Sequence, residues 1–220
     1  MPKMKSAMVG LIAALVVVPV AAQQSNALPL RAEAERLVLD APGQQMTLPL
    51  PDWAELAGAP AEGLLERVSA HVREDEGEVQ LEIYPRGEGR ALWSRLYGAR
   101  IFNQPSLPLA DLRSVIIDVY GRSCQPETVA LFQLEPDDGD NIPPLGYVCG
   151  AYRNLPGYNG KGEVMIMGFY KSSAGVAMLY QEWRGAAFNP ADSASWPVSA
   201  AEIEARVVQF KAEAALTSVD

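Results

Sequence analysis

The chain holds one histidine, His71, and two cysteines, Cys124 and Cys149, among 220 residues. Acyl transfer through a serine needs a nucleophile beside a positioned base. The sequence has no Gly-x-Ser-x-Gly elbow and one imidazole to offer. His71 stands between Ala70 and Val72 in an alternating stretch and reads as a structural residue. A zinc site on the two cysteines would need two further thiol or imidazole ligands. Nor are the cysteines spaced as Cys-x-x-Cys, the usual redox arrangement. No Gly-Lys-Ser/Thr follows Gly157, Gly160 and Gly162, and a phosphate cradle needs a helix N-terminus after its glycines. These glycines read as a turn, and no cofactor is expected. Basic residues are scarce, with 18 Lys and Arg against 27 Asp and Glu and a net charge of −9. Nucleic-acid binding neutralises phosphates with clustered Lys and Arg, so no nucleic-acid partner is expected.

Long apolar runs are missing too, except one. Ala7 to Val18 carries no charge, follows Lys3 and Lys5, and leads into Pro19-Val20-Ala21-Ala22. A basic start, a short apolar run and small residues before a cut site make a secretory signal. The run falls short of the roughly 20 apolar residues of a membrane span. Residues 1–22 are therefore expected to be a removed signal, with cleavage after Ala27 as the alternative. No cysteine follows the cut to take a lipid anchor. No transmembrane segment is expected in the mature chain, whose location is periplasmic or secreted. In such an oxidising compartment an isolated cysteine pair is a disulfide, so Cys124 and Cys149 are expected to be joined.

Residues 23–35 read as a flexible N-terminal segment and 36–220 as a single domain. Arg36–Leu39 and Met46–Leu50 flank Ala41-Pro42-Gly43 as a hairpin. Val68, Ala70 and Val72 alternate with polar residues, as do Val79, Leu81 and Ile83, around a turn at Gly77. A helix over 61–72 is the competing reading. Tyr97–Phe102, Val129–Leu134 and Leu145–Tyr152 read as strands. Glu163–Tyr170 and Val176–Arg184 form the clearest hairpin. Ser106-Leu107-Pro108 opens a helix with Leu109, Leu112, Val115, Ile116 and Val119 on one face. Ser199-Ala200-Ala201-Glu202 is a capping box opening a last helix that buries Ile203, Val207, Phe210 and Ala214. This order predicts an α+β fold: a mainly antiparallel sheet, two principal helices packed on one face, and one disulfide.

Candidate sites are few. Asp137-Asp138-Gly139-Asp140-Asn141 gathers oxygen ligands, making Asp137, Asp138 and Asp140 a calcium candidate, but the EF-hand spacing is missing. An acidic solvated loop is the simpler reading. Most aromatics are expected in the core. Trp93, Tyr147, Tyr158 and Arg184 are the candidates for contact with a ligand or partner.

Two stretches carry a resemblance. One is Glu82-Ile83-Tyr84-Pro85-Arg86-Gly87-Glu88 followed by Trp93. The other runs from Phe169-Tyr170-Lys171 through Gly175, with Leu179-Tyr180 and Trp183-Arg184 after it. With the two cysteines, they resemble small exported proteins of Gram-negative bacteria with no assigned activity. The resemblance spans Gln80 to Gly185, and the chain departs from it in a longer N-terminal region and a long terminal helix. It implies no catalytic residues. Together these readings favour a non-enzymatic periplasmic binding or accessory protein, with a small ligand or an envelope protein as partner. The alternatives are a carboxylate-based hydrolase, marked by a pocket with convergent acids, and a structural subunit of an envelope assembly.

Overall fold

The computed structural model describes residues 28–53, 63–139, 142–154 and 156–219. The expected signal, residues 1–22, lies outside them. Among the described residues no helix is long and apolar enough to cross a membrane.

Among the described residues, eleven strands form two antiparallel sheets. The smaller joins β1 (Leu30–Glu33), β2 (Arg36–Ala41), β3 (Gln44–Pro49) and β11 (Ala215–Ser218), in that order. The larger contains β4 (Val68–Asp75), β5 (Glu78–Pro85), β6 (Arg95–Phe102), β7 (Val129–Gln133), β8 (Leu145–Cys149), β9 (Lys161–Lys171) and β10 (Val176–Ala186). Its order is β4-β5-β6-β10-β9-β8-β7. The helices are α1 (Leu64–Arg67), α2 (Leu109–Gly121) and α3 (Ala200–Glu213).

The expected hairpins form where turn chemistry marks them. Gly43 and Gly77 turn β2–β3 and β4–β5 at φ values of 70° and 80°, where a side chain would be strained. Among the described residues, the helical reading of 61–72 survives only in the four residues of α1; 61 and 62 lie outside them. The centre of the large sheet is the β9–β10 hairpin, paired from Val176↔Lys171 to Ala186↔Lys161.

Successive side chains on a strand face opposite ways, and here both directions are covered. On one face Val79, Leu81, Ile83, Val164, Ile166, Ala177 and Leu179 meet the small sheet and Ile203, Val207 and Phe210 of α3. On the other, Met165, Met167, Phe169, Val176 and Met178 meet Leu112 and Ile116 of α2. Each of these two helical side chains contributes about 2 kcal/mol by burial.

The expected fold class is therefore corrected. The chain is mostly antiparallel sheet in two layers, and its two main helices lie on opposite faces of the large sheet. The strand count was underestimated because β1 and β11 are short and polar: β11 buries only Leu216. With Leu30–Glu33 paired to β2, regular structure also starts ahead of the domain boundary expected at Arg36. α2 offers a narrower face than its sequence suggests. Leu112 and Ile116 are buried, while Val115 and Val119 are exposed, because a helix lying flat on a sheet touches it along one i, i+4 row. Its N-cap is Pro108 and makes no side-chain cap bond, so Ser106 does not play the expected role. In α3 the capping box forms as expected: Ser199 Oγ accepts from the Glu202 amide, and the Glu202 carboxylate accepts from the Ser199 amide.

Candidate functional site

The α2 face of the large sheet changes character along its strands. Reading along β10, Val176 and Met178 lie under the helix, and Tyr180, Glu182 and Arg184 follow at the same phase. On β9 the same face runs from Phe169, Met167 and Met165 to Glu163. On β5 it carries Gln80, Glu82 and Tyr84. Beyond the C-terminal end of α2 this polar half of the face opens into a pocket of about 690 Å³.

Its floor is acidic and buried. Glu163 and Glu182 are 1% and 3% exposed. They are diagonal neighbours, since Arg184 faces Glu163 across the β9–β10 pair and Glu182 faces Met165. Burial raises both above the usual carboxylate range, and the charge of Glu163 pushes Glu182 further up. Glu182 accepts a 3.0 Å hydrogen bond from the Tyr120 hydroxyl, and Glu163 accepts one from the Tyr152 hydroxyl. The third acid, Glu82, is more fully engaged. It accepts from Tyr84 Oη at 3.0 Å, Gln80 Nε2 at 2.9 Å and Arg90 Nε at 2.5 Å. Next to it, Gly98 lets the Tyr180 ring lie against the sheet, since a Cβ there would stand 2.5 Å from Tyr180 and from the Leu81 carbonyl.

Arg184 forms one wall. Its guanidinium carbon lies 3.4 Å from the centroid of Trp93, 4.3 Å from that of Tyr158 and 5.6 Å from that of Tyr152. Contacts of this kind stabilise a partly desolvated cation by about 1–2 kcal/mol each. Arg184 Nη2 stands 3.7 Å from Glu163 Oε2. Among the described residues, Arg184 Nε and Glu163 Oε1 are buried with no hydrogen-bond partner.

Local sequence explains the placement of these groups. Pro85-Arg86-Gly87-Glu88-Gly89 makes a tight loop, with Gly87 at φ 86°. Glu88 closes it by accepting from the Ser94 amide at 2.6 Å and its hydroxyl at 2.8 Å. That loop presents Arg90 and Trp93. Tyr158 sits on the turn containing Gly157 and Gly160, at φ 83° and 71°. The disulfide Cys124–Cys149 exists, with a Cα separation of 5.7 Å. It ties the segment after α2 to β8, and Cys124 pairs with Tyr152 in a short bridge. The bond thus holds both tyrosines, Tyr120 and Tyr152, over the acid pair.

Of the four expected contact residues, Trp93, Tyr158 and Arg184 converge on this pocket. Tyr147 does not line it: it is buried beneath α2, its ring 6.0 Å from that of Tyr120. Burial pushes its hydroxyl up to about 12. In the acidic loop, Asp137 is gripped by Arg113 Nη1 and Nη2 at 2.9 and 2.7 Å and by Gln133 Nε2 at 2.8 Å. These contacts hold Asp137 down to about 2. Asp138 is exposed and Asp140 lies outside the described residues. Among the described residues no cluster of three or more Asp, Glu, His or Cys side chains is placed to hold a metal ion. His71 lies exposed on β4, opposite Glu82 and 6.0 Å from the Tyr84 ring. Sequence reasoning missed Glu82, Glu163, Glu182, Tyr84, Tyr120 and Tyr152. The available signal was a charged residue at a core-facing phase within an apolar strand.

Compared with protein-family models, with curated proteins and with solved structures, the chain matches none.

Proposed function

We propose that the chain is an exported binding protein whose pocket, floored by Glu163 and Glu182 and walled by Arg184, takes a small polar ligand. One observation carries this reading. An open cavity of about 690 Å³ is lined together by Glu82, Glu163, Glu182, Arg90 and Arg184. Charged side chains converging on one concavity, with buried acids pushed above the usual carboxylate range, mark a binding site. The volume suits a small molecule, for which sites span about 300–1,000 Å³. Export is supported by the apolar run 7–18 behind Lys3 and Lys5 and by the disulfide, which belongs to an oxidising compartment.

The second reading, a carboxylate-based hydrolase, is favoured by Glu182. A buried acid held in its neutral form is suited to donate a proton. Against it, Glu163 and Glu182 are 1% and 3% exposed and are engaged by the Tyr152 and Tyr120 hydroxyls, which leaves neither open to a substrate.

A thermal-shift screen of the oxidised protein against small polar metabolites tests the binding reading. A ligand at about 100 times its dissociation constant adds roughly 2.7 kcal/mol. No shift with any compound, or turnover of one of them, overturns it. Mass spectrometry of the exported chain tests the cut after Ala22.

A further inference from the structure

We infer that Asn159 is a site of spontaneous covalent modification: its side chain closes on the Gly160 amide, loses ammonia and opens to aspartate or isoaspartate, and the isoaspartate moves Tyr158 out of the pocket wall. The inference stands apart from the binding reading, since it needs the wall and not a ligand.

Asn-Gly occurs once in the chain, at Asn159-Gly160. Closure requires the next residue's amide nitrogen to reach the asparagine Cγ. A Cβ on that residue crowds the approach and narrows the backbone angles, and glycine has none. Asn103 and Asn154 precede Gln104 and Leu155, and Asn189 precedes Pro190, which has no amide hydrogen to give up. The structure places the pair in the open. Asn159 and Gly160 are both exposed. They are the two central residues of a turn closed by the Lys161 amide, which donates to the Tyr158 carbonyl at 3.1 Å. Gly160 lies at φ 71°, as the third position of a type II turn demands. That bond uses the amide of Lys161. Among the described residues the Gly160 amide donates to no backbone acceptor. Asn189, by contrast, is held at its Oδ1 by the Ala191 amide at 3.0 Å.

The step balances with water as its one co-reactant. The Gly160 nitrogen gives up its proton and attacks Asn159 Cγ. The Cγ–Nδ2 bond breaks, and Nδ2 leaves as ammonia with that proton. Water then opens the succinimide ring. Attack at Cγ restores the ordinary main chain with aspartate at the position. Attack at the α-carbonyl leaves the main chain running through Cβ, which is isoaspartate. Water enters, ammonia leaves, and nothing is oxidised or reduced.

The two products act differently on the wall. The Gly160 carbonyl accepts from the Ala187 amide at 2.9 Å, and the Lys161 carbonyl accepts from the Tyr152 amide at 3.0 Å. These bonds fix the arm of the turn that follows Asn159. Isoaspartate adds a carbon to the main chain, so the extra length falls on the Tyr158 arm. The Tyr158 ring lies 4.3 Å from the Arg184 guanidinium carbon and 4.9 Å from the Tyr152 ring, and its displacement uncovers Arg184. Aspartate leaves the chain path as it was.

The experiment ages the purified oxidised protein at neutral and mildly alkaline pH, beside a reduced sample unfolded in urea. Trypsin releases residues 154–161 as one peptide. Its fragmentation separates Asn159 from Asn154, and isoaspartyl methyltransferase labels the isoaspartate. In the folded protein Asn159 is expected to convert about tenfold faster than Asn103 or Asn154, a barrier lower by about 1.4 kcal/mol, and faster still at the higher pH. Asp138-Gly139 can isomerise by the same ring, but without change of mass and in another peptide. NMR signals of the Tyr158 ring and Arg184 Nε–H are expected to shift in aged protein and to stay put in aged Asn159→Ala, an exposed substitution. Conversion confined to the unfolded sample, absent from both samples, or no faster than at Asn103 and Asn154 overturns the site. Isoaspartate at 159 with the Tyr158 and Arg184 signals unmoved overturns the displacement of the wall.

Discussion

Replacing Glu182 by glutamine will raise thermal stability at neutral and alkaline pH and leave it nearly unchanged at pH 4.5. In the unfolded chain Glu182 ionises at an ordinary value near 4.5. In the folded protein it is 3% exposed and sits beside Glu163, so burial first and like charge second hold its proton to higher pH. Between these two values the native state carries a proton that the unfolded state has lost. Stability is then fully present below pH 4.5 and is lost as pH rises through the folded value. The slope for one proton is about 1.4 kcal/mol per pH unit. Glutamine keeps the acceptor for Tyr120 Oη and places a neutral amide beside Glu163. It cannot ionise, so it escapes the slope. For a chain of this size the gap between variant and wild type should widen by roughly 3–5 °C per pH unit above 4.5. It will level off once the acid pair, titrating as a unit, has released its first proton. Thermal unfolding followed by circular dichroism from pH 4.5 to 8.5 measures this directly, because taking the difference cancels all groups common to both proteins. A gap independent of pH, or a variant less stable throughout, would refute the reasoning.

Three further outcomes follow from other parts of the molecule. Reducing Cys124–Cys149, which spans 25 positions, is expected to cost about 3 kcal/mol and to weaken any pocket ligand, since it frees Tyr120 and Tyr152; melting curves with and without reductant check both. Gly98→Ala will destabilise by about 1–3 kcal/mol through overpacking, because the new Cβ stands 2.5 Å from the Leu81 carbonyl and the Tyr180 ring; urea unfolding measures it. Arg206→Leu will cost about 3 kcal/mol, since it strips the donors at 2.6 Å from Gln181 Oε1 and at 2.7 Å from the Leu50 carbonyl; the same urea titration reads the loss.

Local chemistry made much of the fold legible. Pro42-Gly43 and Gly77 name their hairpins, Ser199 and Glu202 name a helix start, and the two cysteines name their bond. What failed was inference from a segment to its layer. The apolar row of α3 reads the same whether it joins α2 or lies on the reverse face, and only the small sheet beside it decides. That sheet is closed by β11, a four-residue strand paired to β3 across most of the chain. No local pattern reveals a pairing of such range, because its stability comes from neighbours assembled by the whole fold.

The site was legible in part, for a different reason. Trp93 and Tyr158 were visible as aromatic residues in or beside turns, and Arg184 as a cation late in an apolar strand. The acids that floor the pocket were hidden among 27 carboxylates, and spacing alone cannot separate them. Their phase could have done so. β10 is buried on both faces, so Gln181 and Glu182 each face a covered layer. Gln181 meets Arg206 and Asp52 on the α3 face, where Arg206 Nη2 is left without a partner. Glu182 turns to the other face, where its neighbours Glu163 and Arg184 still have unpaired atoms. Two adjacent polar residues in one strand thus have different surroundings: one lies in the core beside α3, and the other lines an open cavity. Buried polar groups without partners are rare in folded proteins. Here they occur on both faces, at Arg206 Nη2 as at Arg184 Nε and Glu163 Oε1, so it is the open cavity lined by convergent charged side chains, in a strand otherwise built for packing, that argues that this face was shaped by a ligand and not by stability alone.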